Sequence, residues 1–329
     1  MEQKFKALRV DETSKDQFEF RIEHKNIQEL PEGNTLIKVE YSSLNYKDAL
    51  SATGNRGVTK AYPHTPGIDA AGIIEESDSE QFQPGDPVII TGYDLGMNTW
   101  GGYSEYIRVP DKWVLPLPKG LTTRKAMELG TAGLTAGLSV SGLLENGIKP
   151  NERIIVTGAT GGVGMISLLT LSHIGFKVIA FTGKEDHFEY LRKIGASEVH
   201  LRDELHEHNN KPLLKGEYAG AVDVAGGNTL AGILKRMQYG GVVTSCGLVD
   251  SPKLETTVFP FILRSIRLIG IDSAECRLHK RKEIWEHFAT DWKIELPEQS
   301  ITESTLEEVP HYIEKILKGE LTGRVIVKL

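Results

Sequence analysis

The sequence predicts an α/β chain: a doubly wound parallel sheet joined to a separate, strand-rich domain. Three observations carry this. Residues 153–184, RIIVTGATGGVGMISLLTLSHIGFKVIAFTGK, read as strand, glycine-rich turn, helix and strand. From about residue 124 to 270, strand-like apolar runs alternate with helical periodicity, which implies parallel pairing through crossover helices. Before about residue 120 the strands are short, divided by turns and free of long helices, which implies an antiparallel, barrel-like domain.

In chain order, residues 4–9, 18–23, 35–42 and 70–75 read as strands. Pro84-Gly85-Asp86 is a turn into a strand at 88–90, and 101–109 supplies another. Residues 124–145 are largely helical, interrupted by small side chains. The apolar triplet Ile154-Ile155-Val156 signals a buried strand. Gly158, Gly161, Gly162 and Gly164 follow at once; lacking Cβ, they let the chain turn tightly and let a pyrophosphate approach. Helical periodicity over 165–174 then aims free N–H groups and a positive dipole end at that anion. A strand at Lys177–Thr182 completes the βαβ unit. Beyond it lie a helix at 185–194, strands at 198–201 and 220–223, a helix near 230–237, and strands at 241–246 and 267–272. Helices near 281–290 and at 310–318 precede a last strand, Arg324–Lys328.

Composition narrows the classes. A length of 329 residues suits two domains. With 40% hydrophobic and 25% charged residues, the chain reads as an ordinary globular protein. A net charge of −7 argues against nucleic acid or an anionic membrane as partner. No apolar run approaches the ~18 residues of a membrane span. The start, MEQKFKALRV, lacks an apolar signal core, so a cytoplasmic location is expected. Two cysteines, Cys246 and Cys276, make neither a disulfide framework nor a four-cysteine zinc lobe, which fits a reducing compartment. Cys246, at the end of an apolar strand, reads as a small buried hydrophobe.

The glycine loop with a strand on each side and a helix between is the setting of a Rossmann dinucleotide site. Thr160, Gly161, Gly162 and Val163 form its phosphate-facing turn. Sites that prefer NAD carry an acid at the end of the second strand, on the ribose hydroxyls. That place is Thr182, and no carboxylate stands there. The run Thr182-Gly183-Lys184 offers a hydroxyl, an accessible backbone N–H and a cation, which suit a 2′-phosphate. Arg202, just past the third strand, adds a second cation or a stacking plane for adenine. The expected cofactor is NADPH. Gly247 and Leu248 follow a strand's C-terminal end, the edge at which such sheets bind ligands.

Phrases along the chain are similar to those of a known family: SSLNYKDAL (42–50), PGIDAAG (66–72), GDPVIITG (85–92), GGYSEY (101–106), GTAGLTAGLSV (130–140) and PFILRSIRLIGIDS (260–273). The chain resembles the zinc-free medium-chain dehydrogenases/reductases, near their quinone oxidoreductase and acryloyl-CoA reductase branch. The resemblance runs nearly end to end. It implies a GroES-like barrel domain over 1–123, rejoined by 271–329, and an NADP-binding Rossmann domain over 124–270. Zinc-dependent relatives use an early cysteine and a Gly-His-Glu segment; here the matching runs are Leu44-Asn45-Tyr46 and Gly67-Ile68-Asp69. An isoleucine cannot ligate a metal, and His64 alone does not make a zinc site.

The implied chemistry is metal-free hydride transfer to an electron-poor C=C or a quinone. By family position Tyr46 lies near the nicotinamide, either as proton or hydrogen-bond donor or as pocket lining with solvent as the acid. Asp48 would orient Lys47 or Tyr46. Thr131 and Thr135 fall beside the nicotinamide or serve caps and packing; Asp272 joins the cofactor set. Arg324 reaches the cofactor region or makes a surface salt bridge. An enoyl thioester of coenzyme A would need cations for its phosphates, with Arg56, Lys60 and Arg264 conceivable; a quinone needs only an apolar slot. A binding protein that senses NADPH with little turnover is the alternative class. The apolar, strand-like stretch from Thr256 to Asp272 implies a homodimer through a sheet edge, with Pro260 at a bend or outer position.

Overall fold

The structure is a computed structural model that describes residues 4–207 and 210–329. Its chain divides into two compact units. The first holds the chain up to Thr131, then Ala274–Ala289 and Glu298–Leu329; the second holds Ala132–Ser273 and Thr290–Pro297.

The chain opens on an antiparallel hairpin, β1 (Lys4–Ser14) and β2 (Gln17–Asn26), turning at Asp16 with φ 60°. Then come β3 (Thr35–Ser43), the short helix α1 (Tyr46–Ala52), β4 (Asp69–Ser77), β5 (Pro87–Thr91), β6 (Tyr106–Val109) and β7 (Leu115–Pro116). Helix α2 (Thr123–Glu145) is broken at Gly130, whose φ 53° and ψ −152° are not helical. The second unit follows with β8 (Arg153–Thr157), α3 (Gly162–His173), β9 (Lys177–Thr182), α4 (Phe188–Lys193), β10 (Ala196–Leu201), β11 (Tyr218–Asp223), α5 (Gly227–Arg236), β12 (Met237–Ser245), α6 (Phe259–Arg264) and β13 (Arg267–Gly270). Helix α7 (Leu278–Ala289), β14 (Ile301–Thr305), α8 (Val309–Leu317) and β15 (Arg324–Lys328) return the chain to the first unit.

In the second unit six parallel strands run in the order β10-β9-β8-β11-β12-β13. The order reverses at β8, so the doubly wound topology puts a crevice beyond the C-terminal ends of its strands. Ile155, Ile179, Phe181, Leu234 and Val243 bury their side chains in one core cluster. In the first unit the sheet order is β14-β15-β3-β4-β5-β7, with β6 paired to β3. All pairings are antiparallel except β14 with β15. Its core gathers Ile37, Ile74, Val88, Ile90 and Ile107. Buried Arg281 on α7 ties the returning chain to this sheet through the carbonyls of Thr91, Ala274 and Cys276, and lies 4.1 Å over the Tyr93 ring.

Several expectations change. The stretch from Thr256 to Asp272 is not one strand: it holds α6 and only the four-residue β13. Pro260 explains this, because a proline lacks the N–H a ladder needs but fits the first turn of a helix. Residues 101–109 contribute a strand only from Tyr106. The helix expected over 185–194 narrows to α4, behind a 3₁₀ turn at Glu185–His187. Two elements carried no periodic signal: α1, seven residues long, and β14, whose sequence ITEST has one apolar residue. Among the described residues no helix is long and apolar enough to cross a membrane.

Candidate dinucleotide site

The glycine loop joins β8 to α3. Gly158 has φ 57°, and a Cβ there would meet Val224 Cγ2 at 2.4 Å. A Cβ on Gly164 would meet the Gly158 carbonyl oxygen at 2.2 Å, so the helix backbone packs directly on the turn. No side chain caps α3 at Gly161. Gly161 has no side chain to occupy the first N–H groups of that helix, and the positive dipole end favours an anion there. Thr160 is buried in the turn, and Gly161, Gly162 and Val163 are partly exposed along it.

At the end of β9, buried Thr182 accepts the Lys184 backbone N–H on its hydroxyl at 3.1 Å, which folds Thr182-Gly183-Lys184 into a tight turn. Burial lowers the Lys184 pKa while Asp186 opposes that. Arg202 begins the turn after β10, the next strand. A Cβ on Gly183 would lie 4.0 Å from Arg202 Nη2, so the guanidinium stands over this turn. Arg202 Nε is buried without a hydrogen-bond partner, and the nearest Asp203 oxygen is 3.8 Å away. An orphaned buried guanidinium N–H is costly. A phosphate monoester on the adenosine ribose would satisfy it, and Lys184 stands two residues along the same turn. The residues present thus fit NADPH.

In the first unit a buried polar network occupies one end of the adjacent strands β15, β3 and β4. The Asp69 carboxylate, at the start of β4, accepts four donors: Ser43 Oγ (2.6 Å), Asn45 Nδ2 (2.8 Å), Thr131 N (2.8 Å) and Thr131 Oγ1 (2.6 Å). Arg324, at the start of β15, donates to Ser43 Oγ (2.8 Å), Asn45 Oδ1 (3.4 Å) and the carbonyls of Leu44 and Glu128. Ser43 and Asn45 therefore relay between a buried cation and a buried anion. Burial pulls the Arg324 pKa down, and Asp69 and Asp48 hold it up. Asp48, in the first turn of α1, accepts the backbone N–H groups of Asn45 and Ile68, both at 2.7 Å. Burial foremost, then the charge of Asp69, pushes its carboxyl up to about 7.

Residues 31–119 match the alcohol dehydrogenase GroES-like domain, and residues 162–290 match the zinc-binding dehydrogenase domain. Bacillus subtilis YhfP, which carries a quinone-oxidoreductase name, is 42% identical over 330 residues, 99% of each chain. Its crystal structure with NAD bound superposes with a TM-score of 0.95 over 99% of this chain and all of that one. Acrylyl-CoA reductase AcuI of Ruegeria pomeroyi is 41% identical over 325 residues, 98% of each. The crystal structure of Escherichia coli YhdH with bound NADPH is 41% identical, with a TM-score of 0.92 over 98% and 99% of the two chains. The chain belongs to the medium-chain dehydrogenases/reductases, in their quinone oxidoreductase and acryloyl-CoA reductase branch.

Within that family the departures are specific. Ile68, buried, stands where zinc-dependent members have histidine, and Asp69 spends its carboxylate on the four donors above. His64 is buried, and burial lowers its pKa, which favours the neutral ring. Among the described residues no group of three or more His, Cys, Asp or Glu is placed to hold a metal ion. Burial pushes the Cys246 thiol up to about 12, which makes it a poor nucleophile.

The sequence-predicted site residues divide between the two units. Tyr46, 49% exposed, opens α1. Asp48 is aimed at backbone N–H groups rather than at Lys47 or Tyr46. Arg324 is buried, so the surface salt bridge is excluded. Thr135 donates its hydroxyl to Ser273 Oγ at 2.7 Å. Gly247 is partly exposed, and Leu248 and Asp272 are exposed, in the segments after β12 and β13. Arg264 spends its guanidinium on the carbonyls of Leu214, Lys235 and Met237, and Arg56 bonds Glu12 and the Lys60 carbonyl. Sequence reasoning missed Asp69, Gly130 and Asp223. Asp69 and Gly130 meet residues far away in the chain, and Asp223 joins near backbone N–H groups to the distant Thr157 and Ser245; only the Gly-Ile-Asp segment hinted at Asp69.

Proposed function

We propose that this NADPH-dependent oxidoreductase reduces the electron-poor C=C of a short α,β-unsaturated acyl thioester, of the acryloyl-CoA kind. The observation that supports the reading most is Ile68 in place of the zinc-ligand histidine, within a chain that aligns end to end with an acrylyl-CoA reductase. A quinone acceptor is the second reading, supported by the name of YhfP.

The cofactor, when bound, supplies the hydride. Thr160, Gly161, Gly162 and Val163 would receive its pyrophosphate, and Thr182, Gly183, Lys184 and Arg202 its 2′-phosphate. Thr131, Thr135, Gly247, Leu248 and Asp272 are assigned to the nicotinamide side. Tyr46 is assigned as the hydrogen-bond or proton donor to the acceptor. Asp48 is a positioning residue: its carboxylate fixes the first turn of α1, from which Tyr46 projects. Arg324 is assigned the same kind of role through Ser43 and Asn45.

The partner is a small-molecule electron acceptor, and the low cysteine content supports a cytoplasmic place of action. A homodimer is proposed through β13, an outer strand of the six-stranded sheet, and the exposed apolar side chains of α6.

The test is NADPH oxidation with acryloyl-CoA and with a small benzoquinone in parallel. The proposal expects kcat/KM for the thioester to exceed that for the quinone by at least about tenfold. The reverse order would transfer the assignment to quinones. Tight NADPH binding with no oxidation by either acceptor would favour a sensing role.

A further inference from the structure

Asp223 ends β11, the strand between β8 and β12, and is fully buried. A carboxylate is acceptor-only, with about four lone-pair positions. Here four donors reach it: Thr157 Oγ1 at 2.8 Å and Ala225 N at 3.2 Å on Oδ1, Gly226 N at 2.9 Å and Ser245 Oγ at 3.3 Å on Oδ2. Thr157 ends β8 and Ser245 ends β12. One side chain therefore ties together the C-terminal ends of three adjacent strands. Its backbone carbonyl also accepts the Cys246 N–H at 3.0 Å, and the Thr157 hydroxyl accepts the Val224 N–H at 3.0 Å.

These strand ends launch three loops: the glycine turn at 158–161, the segment 224–226, and Cys246-Gly247-Leu248. The loops touch without slack. A Cβ on Gly158 would meet Val224 Cγ2 at 2.4 Å, and one on Gly247 would meet the Val224 carbonyl oxygen at 2.1 Å. Gly226 has φ 72°, and a Cβ there would meet the Ser251 and Gly247 carbonyl oxygens at 2.5 and 3.1 Å. The height of the glycine turn relative to Gly247 is thus set through Val224, and Val224 is held by the Thr157–Asp223 pair.

We infer that Asp223 is a positioning residue for the dinucleotide, holding the phosphate turn and the Gly247-Leu248 segment at a fixed spacing. The inference rests on the NADPH reading above. Asp223 touches no reacting atom; it acts through Thr157, Ser245 and the backbone of Ala225 and Gly226. Burial foremost raises the carboxyl's pKa, and the hydrogen bonds from Gly226, Thr157, Ala225 and Ser245 act against that rise.

The experiment compares wild type with Asp223→Asn, an isostere that sets an NH₂ group against donors. Thr157→Val and Ser245→Ala are second variants that each remove one donor and leave the carboxylate. NADPH affinity is read by fluorescence, KM and kcat by NADPH oxidation, and folding by thermal melting. Asp223→Asn should weaken NADPH binding by at least about tenfold, the equivalent of about one hydrogen bond lost between the displaced loops and the nucleotide. The single-donor variants should shift it less, in the same direction, and the acceptor KM should stay at its wild-type value. A purely structural role would lower the melting temperature and leave the affinity of folded protein intact; that result overturns the inference. If Asp223→Asn does not fold, unchanged NADPH affinity in both other variants overturns it equally. Wild-type protein that fails to bind NADPH removes the cofactor reading and this inference together, whereas binding by wild type and equal binding by the variants removes the inference alone.

Discussion

The Asp69 carboxylate grips Thr131 twice, at the backbone N–H (2.8 Å) and at the hydroxyl (2.6 Å). Thr131 is the first residue past the break in α2, so the buried Asp69 carboxylate, at the start of β4, takes the N–H and hydroxyl of the residue at which the helix restarts. A carboxylate at a helix N-terminus is favoured by the exposed N–H groups and by the dipole. Gly130 makes the grip possible. A Cβ there would meet Asp69 Oδ2 and Ser43 Oγ at 2.5 Å and Arg324 Nη2 at 2.9 Å. Its dihedrals are also open in practice to glycine alone. Gly130→Ala should therefore cost at least about 2–3 kcal/mol of stability from strain and displaced hydrogen bonds. Urea denaturation measures this, and a midpoint equal to wild type would refute the clasp.

Asp48 makes stability depend on pH. Its carboxyl stands at about 7 in the fold against 3.8 in the unfolded chain, chiefly through burial and then through Asp69. Arg324 and Tyr103 are the other ionisable groups interacting with it. A raised acid binds its proton more tightly when folded, so stability falls as pH rises from about 4 to about 7. Relative to Asp48→Asn, wild type should lose up to about 1.4 kcal/mol per pH unit across that window and run parallel above it. Denaturation of both proteins from pH 4 to 8 decides; parallel curves throughout would show that Asp48 does not titrate there.

Cofactor preference should follow the turn after β9. Lys184→Ala and Arg202→Ala should each weaken NADPH binding by about 1–3 kcal/mol, the range for a charge-assisted hydrogen bond. NADH, without the 2′-phosphate, should bind nearly as before. Equal losses for both nucleotides would place these cations elsewhere on the cofactor.

The second unit was the more legible in sequence. Its strands are buried on both faces, so Ile154-Ile155-Val156 and Val178–Phe181 stand out as apolar runs, and glycine spacing marks the turn between them. Lys184 and Arg202 draw notice in sequence because no acid stands at Thr182. The network of Ser43, Asn45, Asp69, Thr131 and Arg324 was not legible, because its members are short-range polar types whose meaning lies in long-range contact. Arg324 looks alike in sequence whether it faces solvent or two buried aspartates. The helix α6 was hidden for a different reason: the stretch from Thr256 to Asp272 is apolar enough for a strand, and only Pro260 signals the helical turn.

Turnover should survive metal removal. Ile68 offers no donor atom, and all four bonds to the Asp69 carboxylate come from the protein itself. Exhaustive dialysis against a chelator should leave NADPH oxidation unchanged. Activity that returns only with added zinc would contradict the metal-free mechanism.

The sixth strand and α6 should form a two-fold interface. Among the described residues β13 pairs with β12 alone, so its other edge presents unpaired backbone groups. Beside it in sequence, Val258 is 65% exposed, Phe259 43%, Ile262 68% and Leu263 56%. Four large apolar side chains exposed within six residues mark an interaction surface. A self-complementary patch at a sheet edge closes a C₂ dimer without leaving a further edge open. Ile262→Asp would place a carboxylate in the middle of that patch, where it has no partner and loses its water. It should raise the dimer dissociation constant by at least about tenfold, the effect of losing a central contact. Sedimentation at micromolar concentration should show wild type as a dimer and the variant shifted toward monomer. A fully active wild-type monomer under those conditions would end the proposal, because the exposed face of α6 would then lie uncovered in the working enzyme.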